Sequence, residues 1–234
     1  MFKIALDAGH GKNTAGKRCM KALDSKETRE WTLNNRICDK VEEKLKAYDG
    51  YAIKRVDDTT GANDVPLATR CKSANDFKAN LYLSVHHNAG VNGGTGGGIV
   101  VYTWNNPDAQ LKNWQKMFYE ALISKTGLKG NRSKPLDKSN FYVLVNTNMQ
   151  AILIENGFMD SKTDVPIILS EDFAEKSANA IVETIVKIGG LTKKPVAQTS
   201  GKIYRVQVGA YSVKANAEAM QKKLKADGYD AIIV

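Results

Sequence analysis

Along the first 190 residues, short apolar runs of strand character alternate with longer stretches whose apolar positions recur at helical spacing. Lys3–Asp7 reads as a first strand that ends in the turn Gly9-His10-Gly11. A polar loop follows. A strong helix is then expected from about Lys26 to Tyr48, because Leu33, Ile37, Val41 and Leu45 recur every fourth residue and Ser25 stands where an N-cap belongs. Tyr51–Val56 is a second strand, and Pro66 opens a helix with Leu67, Ala68, Cys71 and Ala74 on one side. Leu81–His86 is an apolar strand that runs into Asn88–Gly98, a segment about half glycine. Beyond it come a strand at Ile99–Thr103, a helix at Asp108–Lys125, a buried-looking strand at Ala151–Glu155 and a closing helix at Asp172–Ile188. Such alternation predicts an α/β fold with a mostly parallel sheet flanked by helices on both faces.

In open sheets of this kind, sites form beyond the carboxyl ends of the strands. His10 follows the first strand, His86 closes the third, and Glu155 closes the last. Glu30 lies one helical turn before Leu33, next to the buried stripe of its helix. The chain holds three histidines, His10, His86 and His87, all at strand ends. One such histidine is ordinarily structural. Two on separate strands with carboxylates at the same edge suit a hydrolytic zinc site, which takes three protein ligands and leaves a fourth position open. For Glu155 the ordinary reading is a carboxylate paired with a nearby Lys or Arg; directly after Ala151-Ile152-Leu153-Ile154 it would be costly to bury without a partner or a metal. There is no HExxH motif, no GxSxG nucleophile turn and no GxxxxGK[ST] loop, and the glycine-rich segment has no helix after it to make a dinucleotide site.

Composition and charge change this picture little. Hydrophobic residues make up 42% and charged residues 25%, an ordinary globular balance. No apolar run approaches the ~20 residues that cross a bilayer, so membrane insertion is not expected. Cys19, Cys38 and Cys71 are an odd, widely spaced set that reads as ordinary thiols. Of the formal net charge of +9, +5 falls in residues 191–234. A basic tail suits nucleic acid, an anionic membrane or a bacterial wall polymer, but no nucleic-acid motif accompanies it.

The segments LDAGHG, ETREWTLNN, LYLSVHHNAG and AILIENGFMD, in this order over residues 1–190, resemble the four signature segments of zinc-dependent N-acetylmuramoyl-L-alanine amidases. The resemblance implies a twisted, mostly parallel sheet. It also implies cleavage of the amide between the lactyl group of N-acetylmuramic acid and the first alanine of the stem peptide. Carried over by position, it puts one zinc per chain on His10, Glu30 and His86. Glu30 stands four residues before Asn34 and fits better than Glu27. In Ser84-Val85-His86-His87-Asn88 the second histidine replaces the family's usual small residue, which leaves His86 and His87 as alternative ligands. Glu155 takes the catalytic role of accepting a proton from water and returning it to the departing amine, and Asn88 is a candidate substrate contact.

Residues 191–202 are polar and aperiodic and read as a linker. Residues 203–234 are expected to form a β-α-β unit: a strand at Ile203–Val208, a helix at Ala215–Ala226 and a strand at Ala231–Val234. Tyr204–Tyr211, Asn216-Ala217 and Leu224…Gly228 resemble the first half of a SPOR repeat, a family that binds peptidoglycan glycan strands. Gln207 and Tyr211 are then candidate wall contacts, or simply parts of a strand and its turn. A unit this short cannot bury a core alone, so pairing of two copies into a homodimer is one expectation. The N-terminal segment reads as a strand and not as a signal peptide, which suits a phage endolysin or a mother-cell lysin. Two other functions compete: a non-catalytic wall-binding protein, and a zinc peptidase acting on the stem peptide.

Overall fold

The computed structural model describes residues 1–195 and 206–233, which fall into two units, Met1–Lys194 and one within Pro195–Val234. The first unit runs β1 (Phe2–Ala8), α1 (Glu30–Leu45), β2 (Tyr48–Asp49), β3 (Tyr51–Arg55), α2 (Leu67–Phe77), β4 (Leu81–Asn88), β5 (Ile99–Thr103), α3 (Ala109–Thr126), β6 (Leu136–Lys138), α4 (Tyr142–Val145), β7 (Gln150–Phe158), α5 (Val165–Ile168), α6 (Glu171–Gly189) and β8 (Thr192–Lys193). Six strands form the main sheet in the order β3-β1-β4-β7-β5-β6, and β2 pairs with β8 apart from it. Neighbours from β3 to β7 are parallel. β5 runs antiparallel to β7, and β6 parallel to β5. The reversal has a simple cause: residues 89–98 lead from the end of β4 to β5 with no helix to carry the chain back to the other edge. β5 therefore runs against β4 and against β7, which is parallel to β4.

Alternation along the strands sorts the core into two layers. Leu6, Leu83, Val85, Ile152, Ile154 and Val101 pack under α1, α3 and α6. Ala5, Tyr82, Ala151 and Leu153 face α2 and α4, with Cys71, Ala74, Val143 and Leu144. The helix ends follow local chemistry. Asp108 caps α3 by accepting from the Leu111 amide at 2.7 Å, and Ser170 caps α6 by accepting from Phe173 at 3.1 Å. The first long helix begins at Glu30 and not near Lys26. Asp24 gathers the Lys26 and Thr28 amides at 3.1 and 2.7 Å, and Glu27 adopts φ 49°, so those residues form a loop and Ser25 caps nothing.

The second unit contains α7 (Lys214–Ala226). Its flanks at 206–208 and 231–233 show no ladder pairing, and Val206, Val208 and Ile232 stand 87%, 61% and 72% exposed. A single helix offers these strand-like segments no layer to pack on, which agrees with a unit too small for its own core. Residues 196–202 of the expected linker, Ile203–Arg205 of the expected strand, and Val234 lie outside the described residues.

Candidate functional site

Three elements of one sheet edge deliver the site. β1 ends in the turn that carries His10, β4 carries His86, and the first residue of α1 is Glu30. His86 lies opposite Glu155 of β7 in register, so the two side chains share a face of the sheet. Glu30 Oε1 is 3.0 Å from His86 Nδ1 and 3.4 Å from His10 Nε2. The two imidazoles meet edge to face, with centroids 5.0 Å apart. Gly9 is what admits this packing: a Cβ there would sit 2.0 Å from the His86 ring.

The cluster has the donor set of a cation site. His10, Glu30 and His86 offer ligand atoms within 4.8 Å of one another. Glu30 is 1% exposed, and its Oε2 has no hydrogen-bond partner. Lys17 Nζ stands 3.9 Å from that oxygen, an ion pair without a hydrogen bond, so the buried carboxylate still has room for a cation at closer range between the two imidazoles. Two neutral nitrogens and one carboxylate are what zinc accepts. Burial alone would raise the Glu30 carboxyl, but hydrogen bonds and charge from His10 and His86 hold it well below the carboxylate range. Those contacts with Glu30 raise His86 despite its burial.

His87 has a different place. It is 2% exposed and points to the opposite face, where its Nδ1 meets Asn34 Oδ1 at 2.7 Å. Burial pushes its imidazole down to about 3, so it stays neutral and donates Nδ1–H to Asn34. The Asn34 amide in turn donates to Gly9 O at 3.1 Å, and the His87 backbone N–H donates to Glu30 Oε1 at 3.3 Å. His87 therefore braces the turn and Glu30 from behind.

A second brace comes from a residue the sequence reading passed over. Arg70 of α2 is 1% exposed and pairs with buried Asp7. It donates to Ala8 O at 2.9 Å and to His10 O at 3.0 Å. Tyr82 and Ser84 complete Asp7 at 2.9 and 2.7 Å. Three successive carbonyls, of Ala8, Gly9 and His10, are thus each held by a buried side chain. That support matters because His10 sits at φ 68°, a left-handed conformation that costs a non-glycine residue ~1–2 kcal/mol. The sequence signal was present: an arginine on the apolar side of α2, and an aspartate inside an apolar strand.

Glu155 is half-buried, and its Oε2 has no partner. Burial pushes its carboxyl up to about 7; Glu30 adds to the rise, while His86 and Lys17 oppose it. It lines a cavity of about 290 Å³ with Lys17, Glu30, His86, Asn88 and Met159. Asn88 is half-buried at the end of β4, its Oδ1 accepting from the Ala89 amide at 2.8 Å. Gln207 and Tyr211 are exposed on the segment before α7, where Gln207 donates to Gly209 O at 3.3 Å. Cys19, Cys38 and Cys71 are buried and free. No helix among the described residues is long and apolar enough to cross a membrane.

Comparison with known proteins bears on this arrangement. The family model described as N-acetylmuramoyl-L-alanine amidase matches residues 4–187, and the SPOR domain model matches residues 174–234. The chain is 29% identical over 236 residues to the N-acetylmuramoyl-L-alanine amidase CwlM of Bacillus licheniformis, covering 100% of this chain and 85% of that one. It is 32% identical over 194 residues to the endolysin of Bacillus phage SPP1, covering 82% and 67%. Among solved structures, an N-acetylmuramoyl-L-alanine amidase from Clostridium difficile 630 matches with a TM-score of 0.71 and 26% identity, over 80% of this chain and 95% of that one. The catalytic domain of CwlV from Bacillus (Paenibacillus) polymyxa matches with a TM-score of 0.70 and 25% identity, over 80% and 98%.

Proposed function

This chain belongs to the N-acetylmuramoyl-L-alanine amidase family, and on that premise we propose that it is a zinc-dependent enzyme whose metal is held by His10, Glu30 and His86 and whose proton carrier is Glu155. One observation carries the reading. Two histidines and a glutamate converge within 4.8 Å, and Glu155 stands beside His86 on the neighbouring strand. A bound zinc supplies Lewis acidity, polarising the scissile carbonyl and making water a better nucleophile.

The protein's own residues do the rest. Glu155 takes the proton from the water whose oxygen bonds to the lactyl carbonyl carbon. It then gives that proton to the alanine nitrogen as the C–N bond breaks, leaving a lactyl carboxyl on the sugar and a free amine on the peptide. A carboxyl held near neutrality by burial is suited to both transfers. Arg70, Asn34 and His87 keep His10 and Glu30 aimed.

We assign Met1–Lys194 to catalysis, since Leu191 and β8 of the expected linker 191–202 pack and pair with the first unit. We leave 195–202 as the linker and assign 203–234 to a SPOR-like wall-binding unit that contributes Gln207 and Tyr211 and pairs with a second copy as a homodimer. Support comes from the SPOR match and the exposed apolar flanks of α7. A role in cell lysis draws on the likeness to the phage endolysin and to the sporulation-specific amidase of Bacillus subtilis, 28% identical over 235 residues. The test is the chemistry of the ends released from purified walls. New alanine amino termini without new reducing sugars are expected. Amino termini from a residue further along the stem would mean a peptidase, and no new termini with retained wall binding would mean a non-catalytic binder.

A further inference from the structure

On the face of the sheet that carries His86 and Glu155, the next rung outward is formed by Asn88 and Phe158, which lie opposite each other beyond a β-bulge. Over the Phe158 ring lies the guanidinium of Arg132, with Cζ 5.2 Å from the centroid. Arg132 is exposed, and no carboxylate pairs with it among the described residues. Of the other arginines of this unit, Arg18, Arg36, Arg55 and Arg70 form ion pairs, whereas Arg29, like Arg132, forms none among the described residues. Asn88 lines the cavity with Glu155 and lies opposite Phe158, so Arg132 stands over the rung that adjoins the cleft.

The loop that presents Arg132 is built and not incidental. Asn131 Oδ1 accepts from the Gly97 amide at 3.1 Å, and the Asn131 amide donates to Gly97 O at 3.2 Å. The two backbones approach so closely that a Cβ on Gly98 would lie 2.4 Å from Lys129 O, and one on Gly130 2.1 Å from Gly97 O. Asp164 Oδ2 ties the same frame to the sheet, accepting from the Gly98 amide at 2.7 Å and the Phe158 amide at 2.9 Å. The glycine-rich segment therefore serves to fix Arg132 and Phe158 in one frame, with a planar cation left exposed over the ring.

We infer that Arg132 anchors a carboxylate of the substrate, the free α-carboxylate of the stem-peptide residue that follows the alanine. The inference rests on the amidase reading of the site and specifies which stem it prefers. The geometry agrees in scale. The Asn88–Phe158 rung lies two residues beyond the His86–Glu155 pair along β4, about 7 Å at the rise of a strand. The second stem residue is a glutamate joined onward through its γ-carboxyl. Its α-carboxylate lies two residues from the scissile nitrogen, also about 7 Å in an extended chain. A guanidinium fork matches a carboxylate in two parallel hydrogen bonds and matches a carboxamide poorly, so it reads the difference between a free and an amidated stem.

The test uses the full-length, zinc-loaded protein and two synthetic muramyl peptides that differ only in carrying D-glutamate or D-isoglutamine at the second position. With the wild type, KM for the carboxylate form should be about tenfold lower, the scale of one charge-assisted hydrogen bond. Arg132→Ala should raise KM for that substrate to the value for the carboxamide while leaving kcat on both nearly unchanged. Arg132→Lys should keep part of the preference, since it keeps the charge and loses the fork. Turnover of the carboxamide reports that each variant is folded. An unchanged preference in Arg132→Ala, or an equal fall of kcat on both substrates, would overturn the inference while leaving the amidase reading intact. If the wild type cleaves neither substrate between sugar and alanine, the amidase reading fails and the inference falls with it.

Discussion

Arg70→Met retains most of the volume of a side chain that is 1% exposed but removes the only charge set against buried Asp7 within that pair. It also leaves Ala8 O and His10 O without the donors they have at 2.9 and 3.0 Å. Breaking one partner of a buried ion pair costs about 3–5 kcal/mol, a large share of the ~5–15 kcal/mol that holds a domain together. For a unit of this size, each kcal/mol moves the melting temperature by about 2–4 °C, so a drop of about 6–20 °C is expected. Burial raises the Asp7 carboxyl, but the Arg70 charge and the Ser84 hydroxyl hold it below its ordinary value. In the wild type Asp7 therefore contributes stability above its unfolded pKa of about 3.9, and that contribution is lost as pH falls through the lower folded value. Without Arg70, burial is opposed by the His86 charge and the Ser84 hydroxyl alone, and the folded pKa is expected to move above the unfolded one. The penalty is then present at neutral pH and fades as acid protonates Asp7. The deficit of Arg70→Met should accordingly shrink between pH 7 and pH 5, and adding Asp7→Asn should recover about 1–3 kcal/mol of it. The freed His10 turn should also weaken zinc binding by about 10–100-fold in a competition titration. Thermal and urea unfolding across pH measure the first part. A shift under about 2 °C, or a deficit that grows on acidification, would refute the reasoning.

Three further outcomes follow from the site and the tail. His86→Ala should lose zinc, whereas His87→Ala should retain it and lose about 1 kcal/mol of stability with the Asn34 hydrogen bond; metal analysis of the two variants shows at once whether the assignment is reversed. Glu155→Gln should keep its zinc and turn over ~100-fold or more slowly. In metal-free protein the raised carboxyl of Glu155 has a definite sign: its stability contribution is present at low pH and lost as pH rises through about 7. Glu155→Gln should thus gain on the wild type between pH 5 and pH 8, and parallel stability curves would contradict that. Removing residues 195–234 should spare hydrolysis of soluble muropeptides and weaken sedimentation with intact walls in a salt-dependent way, and equal pelleting of both forms would remove the tail from targeting.

What the sequence made legible was whatever repeats or ends a repeat. The fourfold spacing of Leu33, Ile37, Val41 and Leu45 gave α1, all four of them buried, and the strand ends placed His10, His86 and Glu155 on one edge. Residues 128–150 were opaque because β6 and α4 are too short to show a period, and so α4, which packs Val143 and Leu144 with Leu153, and Phe141 before it, which meets Tyr102, went unseen. The start of α1 was misplaced because an acidic side chain, Asp24, captures amides that would otherwise begin the helix. His86 and His87 are adjacent and chemically identical, and only the direction of each side chain separates a candidate ligand from its brace. The Asp7–Arg70 pair joins residues 63 apart, a contact that local pattern does not report.

The central requirement is that His10, Glu30 and His86 hold a metal on which the reaction depends. The direct measurement is zinc content per chain together with wall hydrolysis, before chelation, after chelation and after zinc is returned. One zinc per chain, activity lost with the metal and restored with it, and no zinc retained by Glu30→Ala is the predicted result. A chelated protein that is free of metal, folded and still releasing alanine amino termini at the original rate would contradict the account.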